Sequence, residues 1–371
     1  MKPEACWPGV IESYREFMPV SDSTRIITLR EGNTPLLPAP ALQDRIGLPL
    51  PLFLKYEGMN PTGSFKDRGM TMAVTKAVEE GRRAVMCAST GNTAASAAAY
   101  AAKAAIDCIV VLPLKYIAMG KIAQSLMHGA KVIAIEGNFD DALRIVIDVT
   151  DRYPVQLVNS INPYRIEGQK SGAFEVCDTL GDAPVYHAIP VGNAGNITAY
   201  WKGYKEYHKI GRSKRLPKML GFQAAGAAPI VKGEPIPDPQ TIATAIKIGN
   251  PASWKTAVAA RDESGGLIYT VTDDEILEAY KMLASVEGVF CEPASAASVA
   301  GVAKLAREGY FVREMEKGVP PDASVVCIIT GHGLKDPDRA IASAAQPISV
   351  EANVDAIVDL LGLREAAGAR Q

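Results

Sequence analysis

The segment 60–69 contains a lysine that is a candidate for covalent chemistry. Its sequence, NPTGSFKDRG, places Lys66 between turn residues and a helical pattern, with Asp67 and Arg68 directly after it. A lysine amine becomes a nucleophile when it loses its proton, and partial burial beside Arg68 would lower its pKa in that direction. The alternative is a solvated Lys-Asp-Arg cluster at the beginning of a helix. On this segment alone the solvated cluster is the better interpretation.

A glycine-asparagine loop provides the second chemical signal. The sequence VGNAGNITAYWKGY (191–204) runs from an apolar strand through two glycines and two asparagines into a helical pattern. Such a loop directs backbone N–H groups and a helix N-terminus at an anion. It lacks the GxGxxG spacing of dinucleotide folds and the GK[ST] ending of a P-loop, so a phosphate monoester fits better than ATP or NAD. A tight turn without a ligand is the alternative.

Polar residues also follow two other predicted strands. In STGNTAAS (89–96) hydroxyl groups and an asparagine crowd a helix start, which indicates carboxylate binding or N-capping by Ser89 or Thr93. Thr330 ends the strand SVVCIIT, so its hydroxyl should lie at the mouth of the sheet. In CEPASAAS (291–298) a helix is expected to begin at Pro293, and Glu292 could face either the site or solvent.

The elements that position these residues alternate between strands and helices. Short β-branched runs alternate with helical patterns from residue 84 to 335, which predicts a doubly wound α/β fold, and ligands in such folds bind at the carboxyl ends of the strands. The stretch 231–256, rich in proline and polar residues, is interpreted as a long surface excursion. The predicted strands are 84–89, 108–113, 131–135, 155–159, 185–191, 219–225 and 324–330.

Composition excludes several classes of protein. The 371 residues suit two α/β domains, and 39 basic against 41 acidic residues make nucleic acid an improbable partner. The sequence has no run of 18 apolar residues and no secretory signal at its start, so we expect a cytoplasmic protein with no membrane span. The six cysteines and four histidines are dispersed, which indicates buried thiols rather than disulfides, and no metal site.

The sequence contains neither a true Walker A motif nor a serine hydrolase motif. GNPASWKT (249–256) is similar to a Walker A sequence, but Trp254 stands where the second glycine must be. No GxSxG elbow is present, which argues against a serine hydrolase of the α/β class.

Taken together and in order, seven segments resemble one known family, the threonine synthases, within the tryptophan synthase β-like (fold type II) pyridoxal 5′-phosphate enzymes. The resemblance runs from GNTPLLP at residue 32 to about residue 337. The segments are NPTGSFKDRGM, ASTGNT, NPYRIEGQK, PVGNAGN, GFQAAGA, EPASAAS and TGHGLKD.

The resemblance implies a specific architecture. Two doubly wound domains would enclose the active site in the cleft between them, and relatives are commonly homodimers. The large domain, which binds the cofactor phosphate, would comprise residues 1–55 and 161–345. The small inserted domain would comprise 56–160, and the C-terminal tail 346–371.

The resemblance also assigns cofactor contacts. Lys66 would hold the cofactor as a Schiff base, Asn92 would hydrogen-bond its 3′-oxygen, and Thr330 would meet its pyridine nitrogen. The cofactor phosphate would be bound by the backbone N–H groups of Gly192, Asn193, Ala194, Gly195 and Asn196.

The implied reaction converts O-phospho-L-homoserine and water to L-threonine and phosphate, by γ-elimination and then β-addition of water. Arg165 suits the substrate phosphate because its fork meets two oxygens at once, although it could instead be a surface charge paired with Glu167. The expected carboxylate-binding residues are Thr90 and Thr93, and the expected phosphate-binding residues are Ser89, Asn159, Ser160 and Arg165.

Two alternative functions remain open, and one segment differs from the family pattern. A threonine or serine dehydratase would share Lys66 and the phosphate loop but bind no substrate phosphate. A sensor without catalytic activity could bind the cofactor or a phosphorylated metabolite. The segment Leu114-Lys115-Tyr116 stands where the family pattern has an acidic residue and a glycine, which could alter a mobile loop near the site.

Overall fold

The computed structural model describes residues 6–116 and 119–363, which form two parallel-stranded sheets covered by helices. The strands are β1 (Leu36–Pro38), β2 (Leu52–Tyr56), β3 (Ala84–Ala88), β4 (Asp107–Pro113), β5 (Lys131–Ile135), β6 (Val155–Leu157), β7 (Tyr186–Pro190), β8 (Lys218–Ala224), β9 (Leu267–Val271) and β10 (Val325–Ile329).

Helices follow most of the strands. They are α1 (Val10–Ser13), α2 (Pro40–Arg45), α3 (Lys66–Glu79), α4 (Asn92–Ala104), α5 (Met119–Met127), α6 (Phe139–Arg152), α7 (Pro163–Gln169), α8 (Ser171–Leu180), α9 (Gly195–Lys209), α10 (Pro229–Lys232), α11 (Trp254–Glu263), α12 (Asp273–Glu287), α13 (Pro293–Arg307), α14 (Tyr310–Glu316), α15 (Pro337–Ser343) and α16 (Val354–Leu360).

The strands are divided between a six-stranded and a four-stranded sheet. The larger sheet has the order β1-β2-β10-β7-β8-β9 and is parallel except for the antiparallel pair β1 and β2. The smaller sheet, order β5-β4-β3-β6, is parallel throughout and lies between residues 84 and 157. The predicted doubly wound α/β class and all seven predicted strands are confirmed. The domain boundaries at 55/56 and 160/161 remain a prediction.

Three strands of the larger sheet, β1, β2 and β9, were not predicted. The strand β2 contains Lys55, a residue that discourages assignment to a buried strand, yet Lys55 is only 1% exposed. Its Nζ donates to a carboxylate oxygen of Glu175 at 2.7 Å and to the carbonyl oxygen of Thr34 at 2.6 Å. Buried charges are tolerated when they are paired in this way, and the partner lies 120 residues along the chain.

The stretch 231–256 is not simply a surface excursion, so that interpretation was partly wrong. Ala243 and Ile246 are buried and belong to the core on one side of the larger sheet. A Cβ atom placed on Gly192 would lie 2.9 Å from the Cα of Ile246. The segment therefore packs behind the glycine-asparagine loop, a contact that local sequence cannot show.

Cysteine burial, membrane spans and metal sites were also predicted from the sequence. Five of the six cysteines are buried free thiols, as predicted, whereas Cys6 is exposed. Within residues 6–116 and 119–363, no helix is long and apolar enough to cross a membrane, and no cluster of histidine, cysteine and carboxylate side chains could hold a metal ion.

The helices α3 and α7 cross at very close range. A Cβ atom on Gly168 would lie 1.9 Å from the carbonyl oxygen of Arg68, and one on Gly69 would lie 2.9 Å from the carbonyl oxygen of Arg165. Glycine at both positions lets the two backbones approach, and this approach sets the separation of Lys66 and Arg165, which lie on the two helices.

Replacing Gly168 by alanine should destabilise the protein by about 3 kcal/mol, because the methyl group meets backbone rather than a movable side chain. Thermal unfolding followed by circular dichroism measures the effect. Gly120→Ala is the matched control, since Gly120 also lies in a helix and its added Cβ would approach nothing closer than 3.8 Å. Equal midpoints for the two variants would contradict the predicted clash.

Candidate active site

Three neighbouring strands bring the main candidate residues together. The strands β2, β10 and β7 lie side by side and parallel, so their carboxyl ends share one edge of the sheet. Lys66 follows β2, Thr330 follows β10, and Gly192 follows β7. The loop before Lys66 is tied to Thr330, since the Phe65 N–H donates to the Thr330 carbonyl oxygen at 3.0 Å.

Lys66 is the first residue of α3, at the predicted junction of loop and helix. Its Nζ lies 4.2 Å from the centre of the Phe65 ring and makes no hydrogen bond within the described parts of the chain. Burial lowers the pKa of the amine to about 7, helped by the Arg165 guanidinium and opposed by the Glu292 carboxylate. At neutral pH a large fraction of the amine is therefore unprotonated.

Burial was predicted to lower this pKa and is its largest cause, but the predicted cation was wrong, because Arg165 and not Arg68 acts on the amine. Arg68 lies two residues along α3, roughly 200° around the helix axis from Lys66. Its guanidinium is buried, and it donates to Glu57 at 2.6 Å and to Glu175 at 2.6 Å. Arg68 therefore belongs to a buried ion-pair network of two cations and two anions, in which Lys55 is the second cation.

The glycine-asparagine loop is held in a shape that leaves its amides available. Ala194 has φ of 66°, an uncommon value for a residue with a side chain, and precedes α9 directly. The Asn193 side chain donates to the Ser160 hydroxyl and accepts from the Ala252 N–H at 2.7 Å. Both Asn196 amide atoms are buried without a hydrogen-bond partner among the described residues. This combination suits a bound anion.

Helix starts at the site lack side-chain caps, whereas several helices elsewhere have them. Asn138, Asn162 and Thr272 cap α6, α7 and α12 through their side chains. No side chain caps α3, α4, α9 or α13. In α3 the first-turn N–H groups donate within their own loop, to Ser64 and Phe65. In α4 and α9 the N–H groups of residues 92–94 and 195–197 have no acceptor among the described residues, so these two helix starts are available to a ligand.

Asn92 and Thr330 meet the same carboxylate, that of Glu292. Asn92 is the first residue of α4, and its Nδ2 lies 3.0 and 3.2 Å from the two Glu292 oxygens. The Thr330 hydroxyl lies 3.4 Å from Oε1 of Glu292 and 2.9 Å from the Ser295 hydroxyl. Glu292, 5% exposed, faces the site and not solvent. Burial raises its pKa, while Asn92, Lys335 and Lys66 act in the opposite direction.

Ser89, Thr90 and Thr93 are partly exposed between β3 and α4. The N-cap position of α4 is occupied by Gly91, without a side-chain cap, so the capping role considered for Ser89 or Thr93 is not seen. Instead the Ser89 hydroxyl accepts from the Gly91 N–H at 3.2 Å. The two threonine hydroxyls make no hydrogen bond within the described residues, which leaves them available at the start of the helix.

Arg165 is buried rather than a surface charge, and Glu167 pairs with Lys170 and Lys202 instead. Arg165 Nη1 donates to the Val158 carbonyl oxygen at 3.2 Å, but Nε and Nη2 are buried without a partner in the described chain. Burial lowers its pKa to about 10, so it is still a cation at neutral pH. A buried cation with two unused donors is the strongest indication of an anion site here.

Asn159 and Ser160 follow β6 and lie beside these groups. The Asn159 amide accepts from the Ala88 N–H and donates to the Ala88 carbonyl oxygen, both at 2.9 Å. It thereby extends the pairing of β3 and β6 up to Ala88. The Ser160 hydroxyl contacts Asn193 and so joins the two sheets.

Asp67 is a positioning residue that sequence reasoning did not single out. Its carboxylate accepts from the Thr62 N–H at 2.7 Å, from the Thr62 hydroxyl at 2.5 Å and from the Ser96 hydroxyl at 2.6 Å. Burial raises its pKa to about 6, against these hydrogen bonds. The contact fastens the loop before Lys66 to α4. No signal in the sequence pairs Asp67 with Ser96, because they belong to separate helices.

Comparison with known proteins agrees with this geometry. Residues 27–331 match the family model described as pyridoxal-phosphate dependent enzyme. The chain is 59% identical over 345 residues to a threonine synthase of Synechocystis sp., covering 93% of this chain and 88% of the relative. It is 57% identical to a threonine synthase of Mycobacterium leprae, covering 96% and 97%. The chain belongs to the threonine synthase family of pyridoxal-phosphate dependent enzymes.

Solved structures support the fold independently. The structure of maize serine racemase aligns with a TM-score of 0.71 at 21% identity, covering 90% of this chain and 97% of the racemase. The processed form of threonine deaminase isoform 2 from Solanum lycopersicum aligns with a TM-score of 0.69 at 22% identity, covering 85% and 84%. At these identities the likeness concerns the fold, which is that of fold type II enzymes, as predicted.

The site fits the pyridoxal phosphate on which the family depends. A covalent carrier requires an amine that is neutral near pH 7, and Lys66 has one. A phosphate monoester requires N–H donors, and α9 begins without a side-chain cap beside two unpartnered Asn196 atoms. These groups lie at the ends of adjacent parallel strands.

Proposed function

We propose that this chain converts O-phospho-L-homoserine and water to L-threonine and phosphate with pyridoxal 5′-phosphate as cofactor. The observation that carries the proposal is that Lys66 has a lowered pKa and lies within electrostatic range of Arg165, a buried cation with two unpartnered nitrogen atoms. The first group suits amino-acid chemistry on the cofactor, and the second suits a substrate with a phosphate of its own. The similar proteins of Synechocystis sp. and Mycobacterium leprae are both threonine synthases.

Three side chains and one backbone loop would hold the cofactor. Lys66 would bind it covalently, Asn92 would donate to its 3′-oxygen, and the Thr330 hydroxyl would meet its pyridine nitrogen. The backbone N–H groups of the loop Gly192, Asn193, Ala194, Gly195 and Asn196 would bind its phosphate, aided by the dipole of α9. When bound, pyridoxal phosphate supplies an electron sink for negative charge that develops on the substrate.

Lys66 is also the proposed proton carrier. Once its Nζ is released from the cofactor by the incoming amino group, the neutral amine removes the proton on Cα and passes it to the conjugated system that the bound cofactor would supply, so that the amine is neutral again when it takes a proton from Cβ. It returns this second proton to Cγ after phosphate has left that carbon, and the first proton goes back to Cα before L-threonine is released. A pKa of about 7 suits both directions of transfer, because the two protonation states are nearly equal in energy at neutral pH.

The substrate would be oriented by its two anionic ends. The hydroxyls of Thr90 and Thr93, with the open first turn of α4, would bind the carboxylate. Ser89, Asn159, Ser160 and Arg165 would bind the phosphate, with Arg165 providing two parallel donors. Water then adds at Cβ, and the departed phosphate, still held by Arg165, is positioned to accept a proton from it.

The domain division and the homodimer are proposed on the resemblance to threonine synthases, and the cytoplasmic location is proposed on the sequence features given above. We propose a large domain formed by residues 1–55 and 161–345, a small inserted domain of 56–160, and a homodimer that acts in the cytoplasm. Size-exclusion chromatography with light scattering tests the dimer, and a monomer at working concentration would exclude it.

One paired assay tests the proposed function. The purified protein should release inorganic phosphate from O-phospho-L-homoserine, with L-threonine formed in equal amount. It should form little 2-oxobutanoate from threonine. Rapid 2-oxobutanoate formation without phosphate release would show a dehydratase. A colourless protein that borohydride does not modify at Lys66 would show a sensor or a plain phosphate binder.

Cofactor incorporation should depend on pH through Lys66. Because the pKa of its amine is lowered to about 7, the neutral form that attacks an aldehyde increases through pH 7 and is nearly complete by about pH 8. The rate at which cofactor-free protein gains visible absorbance with pyridoxal phosphate should rise over this range and then level off. A rate that keeps rising to pH 10 would indicate an ordinary lysine.

A further inference from the structure

Glu292 is a buried carboxylate next to the proposed cofactor contacts, with no role assigned so far. It precedes α13, and its N–H donates to the Gly331 carbonyl oxygen at 3.0 Å, which fixes its backbone to the end of β10. A Cβ atom on Gly331 would lie 2.6 Å from Oε1 of Glu292. The carboxylate is therefore packed against the Gly331 backbone on one side and faces Asn92 on the other.

The contact with Asn92 has a defined donor and acceptor. An ionised carboxylate only accepts hydrogen bonds, so the Asn92 amide must direct its NH₂ group toward Glu292. The distances of 3.0 and 3.2 Å agree with a charge-assisted hydrogen bond. One N–H of Nδ2 serves this bond, and the second N–H remains for another acceptor.

Asn92 is a stronger partner of Glu292 than Thr330 is. The Thr330 hydroxyl lies 3.4 Å from Oε1, at the limit of hydrogen bonding, and has a closer partner in the Ser295 hydroxyl at 2.9 Å. Burial raises the pKa of Glu292, and the hydrogen bond from Asn92 is the largest influence that favours its ionised form. The geometry therefore makes Asn92 the principal hydrogen-bond partner of this carboxylate.

We propose that Glu292 is a positioning residue of the active site, which holds one N–H of Asn92 so that the other N–H is directed at the 3′-oxygen of pyridoxal phosphate. This inference rests on the proposed role of Asn92. A donor fixed in that direction stabilises the anionic 3′-oxygen and with it the form of the bound cofactor that absorbs visible light. Without Glu292 the amide can rotate and present its oxygen instead.

The test is a double-mutant cycle read by the absorption spectrum of the bound cofactor. Glu292→Gln preserves volume but can donate as well as accept, so the orientation of Asn92 is no longer enforced. The visible band should lose intensity to the near-ultraviolet band, and kcat should fall about tenfold with KM for O-phospho-L-homoserine little changed. Asn92→Ala should show a larger spectral change, and adding Glu292→Gln to it should produce no further change.

Controls distinguish a loss of Asn92 orientation from a folding defect and from a failure of the proposed function. Glu316→Gln, at an exposed position, should leave the spectrum unchanged. If Glu292→Gln does not fold, Glu292→Asp takes its place, since it keeps a carboxylate but withdraws it by one methylene. An unaltered spectrum in a folded Glu292 variant, or an additive effect in the double variant, would overturn the inference. A parent protein that releases no phosphate would instead count against the proposed function.

Discussion

Lys66→Ala should abolish turnover and remove the visible absorbance of the bound cofactor together. The amine at position 66 is proposed both to bind the cofactor covalently and to carry the substrate protons, and no other lysine amine in the described residues is placed at the start of α3 beside Arg165. Loss of such a group typically lowers kcat by four or more orders of magnitude, roughly 5.4 kcal/mol or more.

The measurement is phosphate release from O-phospho-L-homoserine, together with the absorption spectrum and borohydride labelling followed by peptide mapping. Lys103→Ala is the matched control, because Lys103 is an exposed lysine on α4. The control should keep colour, labelling and activity. A Lys66 variant that retained both colour and turnover would exclude the covalent assignment.

Arg165→Met should have the second largest effect on catalysis while leaving the protein at least as stable. Removing a cation that binds the substrate phosphate should lower kcat/KM by a factor of about 100 to 1,000. In the absence of ligand, two donors of Arg165 are buried and unpaired, so replacing the guanidinium by an apolar side chain removes a desolvation penalty. Stability and activity should therefore change in opposite directions.

Three measurements check this prediction: kcat/KM for O-phospho-L-homoserine, the inhibition constant of inorganic phosphate, and the thermal midpoint. Inhibition by inorganic phosphate should weaken together with the loss of kcat/KM. Arg144→Met, at an exposed arginine on α6, is the control. It should leave kcat/KM and the inhibition constant of inorganic phosphate unchanged. A variant with a lower thermal midpoint and unchanged phosphate inhibition would assign Arg165 a structural role instead.

Much of the site was predictable because its chemistry lies in short contiguous segments. The spacing of turn residues before Lys66, and the change from apolar strand to glycine-asparagine loop at 191–196, are local patterns that any chain with these residues would show. Since parallel strands place their carboxyl ends at one edge of a sheet, the residues that follow them could be expected to meet.

Other features depended on partners distant in sequence. The environment of Lys66 involves Arg165 rather than the adjacent Arg68, because helical geometry directs Arg68 toward Glu57 and Glu175. The buried position of Lys55 in β2 likewise depends on Glu175. These pairings join elements that no local pattern relates.

The sequence by itself determined the fold class, seven of the ten strands in the described chain, and the family, because hydrophobic periodicity and contiguous motifs are local properties. Only the tertiary structure decided which cation lowers the pKa of Lys66, that Glu292 faces Asn92, and that residues 243–246 pack behind the glycine-asparagine loop. Burial and the distance between charges set pKa values and hydrogen bonds, and both arise only when distant segments pack together.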